Sequence, residues 1–403
     1  MPTPRVLAPV PPAVRGLIDA LAAAGHEVYL VGGCVRDLLV GRPVNDFDLA
    51  TSADPASLLA LFPTAVPIGI RYGTVMVPTE IGPVDVTTFR AGPRIQDDLG
   101  HRDFTLNALA YDPRSDILLD PHDGWADLRK HRLRAVRSAQ DRFREDPLRA
   151  LRAARLVATL ELEPDPDLEP AMASARRGLR GIARQRIGRE LASLLVGPGV
   201  GGALALLRRT GIERDLVPGA APDAEFVVPG LPPDLDLRLA AWLRGTRAGF
   251  ICRELRFPRR VCARVGQLVR HHPIEIPAEL PTGGTVRRLV KRVHEENIDA
   301  LIALRRSELE TGVSIPGEDR DTTKRRLGDL EVLLARIRRT GLLALRRLDL
   351  ALDGEDVMGH FGWPPGPQVG RALAYLTDRI TEDPSLNTPA ALRDLLDAWA
   401  REP

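Results

Sequence analysis

Residues 28–48 read VYLVGGCVRDLLVGRPVNDFD and predict a strand, a glycine turn, a helix and a second strand in quick succession. The short apolar run Val28–Val31 is typical of a buried strand. Gly32 and Gly33 end that strand and begin the helix. Backbone N–H groups at a glycine-started helix are available to an anion, so this turn predicts a phosphate site. Arg36, one turn into the helix, adds a positive charge there.

Two aspartates, Asp46 and Asp48, follow this helix and are separated by one residue. Alternate residues of a strand face the same side, so both carboxylates are predicted to point one way. Two such carboxylates repel each other unless a cation lies between them, and Mg²⁺ commonly joins carboxylates to substrate phosphates. A phosphate site beside this pair predicts nucleotidyl transfer, although an isolated Asp-x-Asp is more typical of a solvated loop.

The composition predicts a soluble globular protein of two to four domains. The 403 residues are 44% hydrophobic without a long uncharged apolar run, so no membrane partner is expected. The first residues lack the apolar core of a signal peptide, and Cys34, Cys252 and Cys262 have no metal-binding spacing. Buried free thiols and a cytoplasmic location are therefore expected. The net charge is only +2, so a nucleic acid would have to be held by local basic patches.

The order of the predicted elements divides the chain into an α/β part and a helical part. From residue 28 to about residue 121, short strands alternate with helices, and from about residue 140 the pattern is helical almost throughout. Clusters of proline and glycine interrupt the helical part. We therefore predict an α/β (α+β) head with a small mixed sheet, then an all-α neck, body and tail, with the bounds 1–139, 140–216, 217–316 and 317–403.

The full spacing of the first motif resembles a family signature. Gly-Gly-x-x-Arg-Asp, followed nine residues later by Asp-Phe-Asp, resembles the nucleotidyltransferase signature of the polymerase-β superfamily. It is most similar to the class II tRNA nucleotidyltransferases and the bacterial poly(A) polymerases. The resemblance implies that Asp46 and Asp48 are catalytic and hold two Mg²⁺ ions, one acting on the RNA hydroxyl and one on the leaving pyrophosphate. Asp85 fits either a third carboxylate of this site or a buried structural aspartate.

A second motif, HRDFTLNALAY at residues 101–111, is similar to the family motif that contacts the nucleotide and joins the head to the neck. The resemblance implies that Arg102 binds the triphosphate together with Gly33 and Arg36. It also implies that Asp103 and Asn107 fix the local backbone and the contacts to the sugar. His101 stands where the family usually has an arginine. Residues 184–191 resemble a further family motif and are expected to be a structural part of the neck or a basic surface helix.

The helix that follows Asp146 is predicted to select the nucleotide base. Asp146 is expected to cap this helix with Pro147 in its first turn, and Arg149 lies three residues further on the same face. In class II enzymes an aspartate and an arginine of this helix hydrogen-bond the incoming base, so the resemblance assigns that role to Asp146 and Arg149. Arg152 and Arg155 would bind phosphates or hold Asp146 in place. A salt-bridged, solvated helix face is the alternative.

The chemistry of the bases supports this transfer of roles. Cytosine and adenine both present an amino donor beside a ring acceptor, which a carboxylate and a guanidinium match. Guanine and uracil present a carbonyl where the amino group should be, so two acceptors would oppose each other at a cost of roughly 1–3 kcal/mol. Asp146 and Arg149 are therefore expected to select C and A.

The sequence departs from the family between Arg90 and Arg102, which are separated by only eleven residues. In relatives that add all of CCA, a long flexible loop lies here and lets the base-selecting helix switch from CTP to ATP. The short segment predicts an enzyme that adds only the two cytidines, with CTP and the acceptor arm of tRNA as partners, Mg²⁺ as cofactor and a monomer as the expected state. Full CCA addition or A addition with ATP, poly(A) synthesis and a catalytically silent RNA-binding relative stay open. No zinc site or appended hydrolase motif is visible.

Overall fold

The computed structural model describes residues 9–44, 46–69, 73–276, 281–313, 317–343 and 347–401. The chain separates into two compact units, Met1–Pro218 and Gly219–Pro403. The predicted α/β head and the mainly helical remainder are confirmed. The finer division into neck, body and tail stays a prediction. Within the described residues, no helix is long and apolar enough to span a bilayer.

A seven-stranded mixed sheet forms the centre of the first unit. Its strands are β1 (Val28–Val31), β2 (Asp48–Thr51), β3 (Val66–Gly69), β4 (Thr74–Thr79), β5 (Gly82–Thr88), β6 (Ala110–Asp112) and β7 (Ile117–Leu119). They lie in the order β3-β4-β5-β2-β1-β6-β7. Strands β2 and β5 run parallel, and the other neighbouring pairs run antiparallel.

Eleven α-helices are described in the first unit, besides two short 3-10 helices. They are α1 (Pro12–Ala23), α2 (Gly33–Leu39), α3 (Pro55–Leu61), α4 (Ile95–Leu99), α5 (Gly124–Arg129), α6 (Ala139–Glu145), α7 (Leu148–Leu160), α8 (Leu168–Ala175), α9 (Arg184–Leu195), α10 (Val200–Arg209) and α11 (Ile212–Leu216). Two short strands, β8 (Arg132–Leu133) and β9 (Glu163–Pro164), pair in parallel. The predicted neck is therefore helical except for β9, which fastens it to the end of the head.

The two faces of the sheet bury different side chains. Leu49 of β2 and Val86 of β5 pack into a large core with α1 and α2. The alternating residue Ala50 packs on the opposite face, in a smaller core that includes Ile95 and Leu99 of α4. Because side chains alternate along a strand, Asp48, which precedes Leu49, lies on this second face. The apolar pattern of the strands thus decides which face carries the polar groups.

The second unit is built from helices in its described parts. They are α12 (Ala224–Val227), α13 (Leu235–Trp242), α14 (Ala248–Glu254), α15 (Arg259–His271), α16 (Gly283–Val293), α17 (Glu295–Thr311), α18 (Arg320–Arg339), α19 (Gly354–Phe361), α20 (Pro367–Glu382) and α21 (Pro389–Arg401). Trp242 is fully buried, and Leu376 and Leu396 belong to a separate apolar core near the end of the chain. The unit also buries the Glu308 carboxylate among Arg244, His272 and Arg305.

Candidate active site

An open cavity of about 670 Å³ lies in the first unit, beside the ends of β1 and β2. It collects nearly all of the residues that the sequence assigns to catalysis and nucleotide binding. Those that line it are Gly33, Arg36, Asp46, Asp48, Asp85, Arg102, Arg149, Arg152 and Arg155. Asp146 does not line it.

Two carboxylates face each other across neighbouring strands in this cavity. Asp48 of β2 and Asp85 of β5 are directly paired in the parallel register, so their side chains lie on the same face of the sheet, roughly 5 Å apart at the backbone. Burial raises the pKa of Asp48 to about 6, and the negative charges of Asp85 and Asp46 add to this increase against the opposing effect of Arg102. Burial and then the charge of Asp46 also raise the pKa of Asp85. These carboxylates are destabilised when ionised and would be stabilised by a cation.

The strand that carries Asp48 is shorter than the sequence suggests. It begins at Asp48, so the prediction that Asp46 lies on the same strand is wrong. Continuing the register would place Asp46 opposite Pro83, which has no N–H group with which to extend the ladder. Asp46 still lines the cavity, and its charge acts on both Asp48 and Asp85.

The acidic residues fit a divalent cation whose coordination is completed by a substrate. Within the described chain, no three His, Cys, Asp or Glu side chains are arranged as a complete metal site. Mg²⁺ does not need one, because it usually binds one or two carboxylates and keeps water or phosphate oxygens as its other ligands. Asp46 and Asp48, with Asp85 beside them, supply oxygen donors and unbalanced negative charge of this kind.

The glycine turn brings a guanidinium close to the carboxylates. Gly32 has a φ of 76°, and a Cβ atom there would lie 2.8 Å from Nη1 of Arg102 and 3.9 Å from Oδ2 of Asp48. A Cβ at Gly33 would make only an ordinary contact of 3.5 Å with Nη2 of Arg36. At Gly32 a side chain would therefore strain the backbone and displace the end of Arg102. The sequence assigns a binding role to Gly33 instead, because spacing alone does not give the φ angle of either residue.

Arg102 is oriented by a buried carboxylate that the sequence analysis missed. Its Nε and Nη2 donate to Oδ2 of Asp98 at 3.2 and 3.0 Å, and Asp98 is only 2% exposed. Oδ1 of Asp98 also accepts the backbone N–H of Arg90. Since two of its donor groups are engaged by Asp98, Arg102 presents Nη1 toward Gly32. The only signal in the sequence is that Asp98 precedes Arg102 by four residues.

Arg36 belongs to a chain of hydrogen bonds that leaves the glycine helix. It donates two bonds of 2.9 Å to Asp37 and one of 2.8 Å to Oδ1 of Asn107. Nδ2 of Asn107 in turn donates to Oδ1 of Asp103 at 3.1 Å. Much of the charge of Arg36 is therefore balanced by Asp37, and its guanidinium fixes the second motif against α2.

Asp103 continues this chain to helix α7. Its Oδ2 accepts from Nη1 of Arg152 at 2.8 Å, and Oδ1 accepts the N–H of Phe104. Burial raises the pKa of Asp103, but Arg152 and the other hydrogen bonds outweigh it and lower the pKa below its ordinary value. Nε of Arg155 lies 2.7 Å from Oε2 of Glu190 on α9. Arg152 and Arg155 thus contact carboxylates of the head and the neck.

Comparisons of this chain with protein families, known proteins and solved structures identify its family. A family model described as the poly A polymerase head domain matches residues 28–134. The CCA-adding enzyme of Geobacillus stearothermophilus is 34% identical over 387 residues, which is 89% of each chain. The chain belongs to the class II tRNA nucleotidyltransferase family. Enzymes of this family use divalent metals, in agreement with the acidic residues of the cavity.

Other relatives of this nucleotidyltransferase carry related names. The CC-adding tRNA nucleotidyltransferase of Shouchella clausii is 42% identical over 199 residues, which cover 49% of this chain and 52% of that protein. The crystal structure of the Bacillus stearothermophilus CCA-adding enzyme in complex with CTP has a TM-score of 0.77 and 29% identity, and the match covers 97% of this chain and 98% of that one. The family is therefore shown along nearly the whole chain.

The structure separates the two residues that the sequence assigns to base selection in this nucleotidyltransferase. Helix α7 begins at Leu148 with Pro147 at its N-cap position, so the prediction that Asp146 occupies the N-cap is wrong by one residue. The Leu148 N–H still donates to Oδ1 of Asp146 at 3.0 Å. Oδ2 of Asp146 accepts from Nη2 of Arg186 at 3.1 Å, outside the cavity lining. Arg149 lines the cavity and is held by Glu145 at 2.8 Å.

Two further arginines line the cavity and were not singled out from the sequence. Arg90 lies two residues beyond the end of β5, and Arg189 lies on α9 within the stretch interpreted as a neck motif. Both are exposed, and neither forms an ion pair with the residues that the structure describes. Their guanidinium groups are therefore available to a phosphate. Arg102 and Arg152 already contact carboxylates, and Arg102 offers a phosphate its remaining Nη1 group.

Proposed function

We propose that this protein adds two cytidines to the 3′ end of tRNA by transferring CMP from CTP. The observation that carries the proposal is the pairing of Asp48 with Asp85 on one face of the sheet, beside Gly32 and Arg102. This arrangement combines a site for a divalent cation with a positively charged turn, as the transfer of a nucleotide from a triphosphate requires.

The residues of the cavity divide the work of binding CTP. The glycine turn and Nη1 of Arg102 bind the triphosphate, and Asp98 keeps Arg102 in position. Asp46 and Asp48 hold Mg²⁺. When bound, two such ions lower the pKa of the terminal RNA hydroxyl and neutralise the charge on the departing pyrophosphate. Arg36 is engaged by Asp37 and Asn107, so its main role is to hold the second motif in place.

Base selection falls to Arg149 and Asp146. Arg149 reaches the cavity from α7 and donates to the acceptors of cytosine. Asp146 accepts from the cytosine amino group, and until that contact forms its Oδ2 accepts from Nη2 of Arg186. In this proposal the carboxylate must exchange or share its bond to Arg186 when the nucleotide binds.

The restriction to cytidine is supported by the segment between Arg90 and Arg102. This segment contains α4, whose Ile95 and Leu99 are buried in the smaller core of the sheet. The few residues outside α4 are too short to form a mobile loop that could rearrange the base-selecting helix after the second cytidine. Full CCA addition is the second candidate, because CCA-adding relatives match along most of the chain.

The test uses three tRNA substrates that end before the first, second or third nucleotide of the CCA end. Each is incubated with labelled CTP alone or labelled ATP alone, and the products are sized on a gel. We expect CTP incorporation on the first two substrates and none of either nucleotide on the third. If CTP is incorporated on the first two substrates and ATP on the third, the protein is a full CCA-adding enzyme. If ATP is incorporated on the third substrate and CTP on none, it is an A-adding enzyme. Long ATP-dependent tails would show a poly(A) polymerase, and no incorporation at all would show a silent relative.

A further inference from the structure

A basic patch lies in the second unit on helices α14 and α15. Residues 247–270 contain seven arginines and one glutamate, although the whole chain has a net charge of only +2. Among the described residues, Arg264 alone of these arginines forms ion pairs, with Asp234 and Asp236 at 3.6 Å. The other six are exposed, namely Arg247, Arg253, Arg256, Arg259, Arg260 and Arg270. The patch is therefore a local excess of positive charge without matching carboxylates.

A cavity of about 470 Å³ opens within this patch between the two helices. Arg253 and Arg270 line it, and so does Phe250, whose side chain is 50% exposed. The guanidinium carbon of Arg247 lies 5.6 Å from the centre of the Phe250 ring. A half-exposed aromatic ring that is contacted by one arginine and flanked by two others offers both a stacking surface and anion-binding groups.

Small residues keep this cavity open. Ala263 and Gly266 of α15 line it opposite Gly249 of α14. Gly266 lies in the middle of its helix, where a glycine is less favourable than an alanine. A Cβ atom at Gly266 would meet nothing within 4 Å, so packing does not explain the glycine. Its missing side chain leaves room between the helices for a planar group.

We propose that this cavity binds an unpaired nucleotide of the RNA substrate. The base would stack on Phe250, and the flanking phosphates would be bound by Arg253 and Arg270. Every base has an aromatic face, and folded RNA offers such bases in its loops and bulges. Guanidinium groups form paired hydrogen bonds with phosphate oxygens. The inference rests on the proposed function in taking the RNA to be tRNA, whose loops present unpaired nucleotides.

RNA fits this site better than an acidic protein segment does. An acidic peptide would use the arginines but would leave the exposed Phe250 ring without a flat partner. A paired RNA duplex would use the charge but would have no base free to stack. The combination of one aromatic ring, several uncompensated arginines and a cavity left open by glycine matches an unpaired nucleotide in particular.

The experiment measures binding of a labelled tRNA that lacks its CCA end, by fluorescence anisotropy without CTP and at several salt concentrations. The full-length protein is compared with Phe250→Ala and with Arg253→Gln, and far-UV circular dichroism checks that each variant is folded. We expect Phe250→Ala to weaken tRNA binding about tenfold with an unchanged dependence on salt. Arg253→Gln should weaken tRNA binding and make the fall of log affinity with log salt concentration less steep, by about 1 in the slope.

Two controls make the result specific to the cavity. Phe226→Ala removes another exposed phenylalanine of the same unit, 61% exposed and outside this cavity, and should bind tRNA as the unchanged protein does. A two-stranded acceptor-stem duplex without loops should bind Phe250→Ala and the unchanged protein equally. Equal tRNA affinity of Phe250→Ala and the unchanged protein would overturn the inference, and so would an equal loss in Phe226→Ala. Because binding is measured without CTP, a chain that binds RNA through Phe250 but incorporates no CMP would refute only the proposed function.

Discussion

At the scale of single residues, the carboxylates of the cavity are the most sensitive positions. Asp48 is buried beside Asp85 and Asp46, and this surrounding raises its pKa to about 6. Removing its charge should relieve the repulsion and, under the proposed function, remove a metal ligand at the same time. Without metal, the protein should therefore become equally or more stable, while its affinity for metal should decrease.

We expect Asp48→Asn to lose CMP incorporation by roughly 100-fold or more. In the absence of metal it should unfold at the same or a higher urea concentration than the unchanged protein, because a buried charge has been removed. Thermal unfolding of Asp48→Asn with and without Mg²⁺ checks the metal site independently of activity.

Asp46→Ala should likewise lose CMP incorporation while remaining folded. Full activity in either variant would refute the metal assignment.

The glycine turn gives a second prediction at this scale. Gly32→Ala should raise the KM for CTP about tenfold, because the new Cβ would displace Nη1 of Arg102. It should also lower the free energy of unfolding by about 1–2 kcal/mol, because an alanine is strained at the positive φ of this position. Gly33→Ala is the matched control, since its Cβ would make only an ordinary contact with Arg36. Steady-state kinetics and urea unfolding of both variants check this. Equal effects of the two substitutions would contradict the geometry of the turn.

The sequence could identify the chemistry of these residues but not their contacts. The residue types and spacing of Asp46, Asp48 and Arg102 pointed to the cavity in which all three lie. The role of Asp98 depends on burial, and the bond from Arg186 to Asp146 joins residues far apart along the chain. The four-residue spacing of Asp98 and Arg102 does not reveal that Asp98 is buried, and the contact between Arg186 and Asp146 leaves no local signal, so sequence reasoning missed both.

At the scale of secondary-structure elements, the register of β2 against β5 decides the site. The apolar alternation of each strand was readable from the sequence, and so was the placement of Asp85 in the middle of a strand. The pairing of Asp48 with Asp85 depends on which strands become neighbours, because β5 lies beside β2 in parallel. That choice is made by packing on both faces of the sheet, which local sequence patterns do not encode.

The helices of the second unit give a prediction for stability. Glu308 on α17 is 2% exposed and contacts Arg305 at 3.1 Å, His272 at 2.9 Å and Arg244 at 3.2 Å. Burial raises the pKa of Glu308, but His272 and the two arginines outweigh it and lower the pKa below its ordinary value. A lowered folded-state pKa means that this carboxylate stabilises the protein above the pKa of the unfolded chain. That stabilisation is lost as the pH falls through the folded-state pKa.

We expect Glu308→Gln to lower the free energy of unfolding of this unit by about 3 kcal/mol at neutral pH, because it removes a buried negative charge from Arg244 and Arg305. Of the described carboxylates, only Asp223 and Glu318 then remain paired with these two arginines. The loss should shrink as the pH falls below the ordinary pKa of glutamate. Urea unfolding from neutral to acidic pH measures it, with the exposed Glu355→Gln as a control that should change little. A loss that did not vary with pH would contradict the charge argument.

At the scale of the whole molecule, the proposed function requires a nearly neutral chain to bind a highly charged RNA. Its positive charge is concentrated instead of spread, in the arginines of the catalytic cavity in the first unit and in residues 247–270 of the second. The sequence could predict that local patches were needed. Only the structure shows that the second patch surrounds a cavity with an exposed aromatic ring.

The central claim is that this molecule transfers cytidylate to tRNA and stops after the second addition. The most direct measurement is the mass of a tRNA lacking its CCA end after incubation to completion with the protein, Mg²⁺, CTP and ATP together. We predict a gain of two CMP residues and no AMP, and no gain with Asp48→Asn. A tRNA that gains two CMP residues and one AMP would contradict the restriction to cytidine, and an unchanged tRNA mass would contradict the proposed function itself.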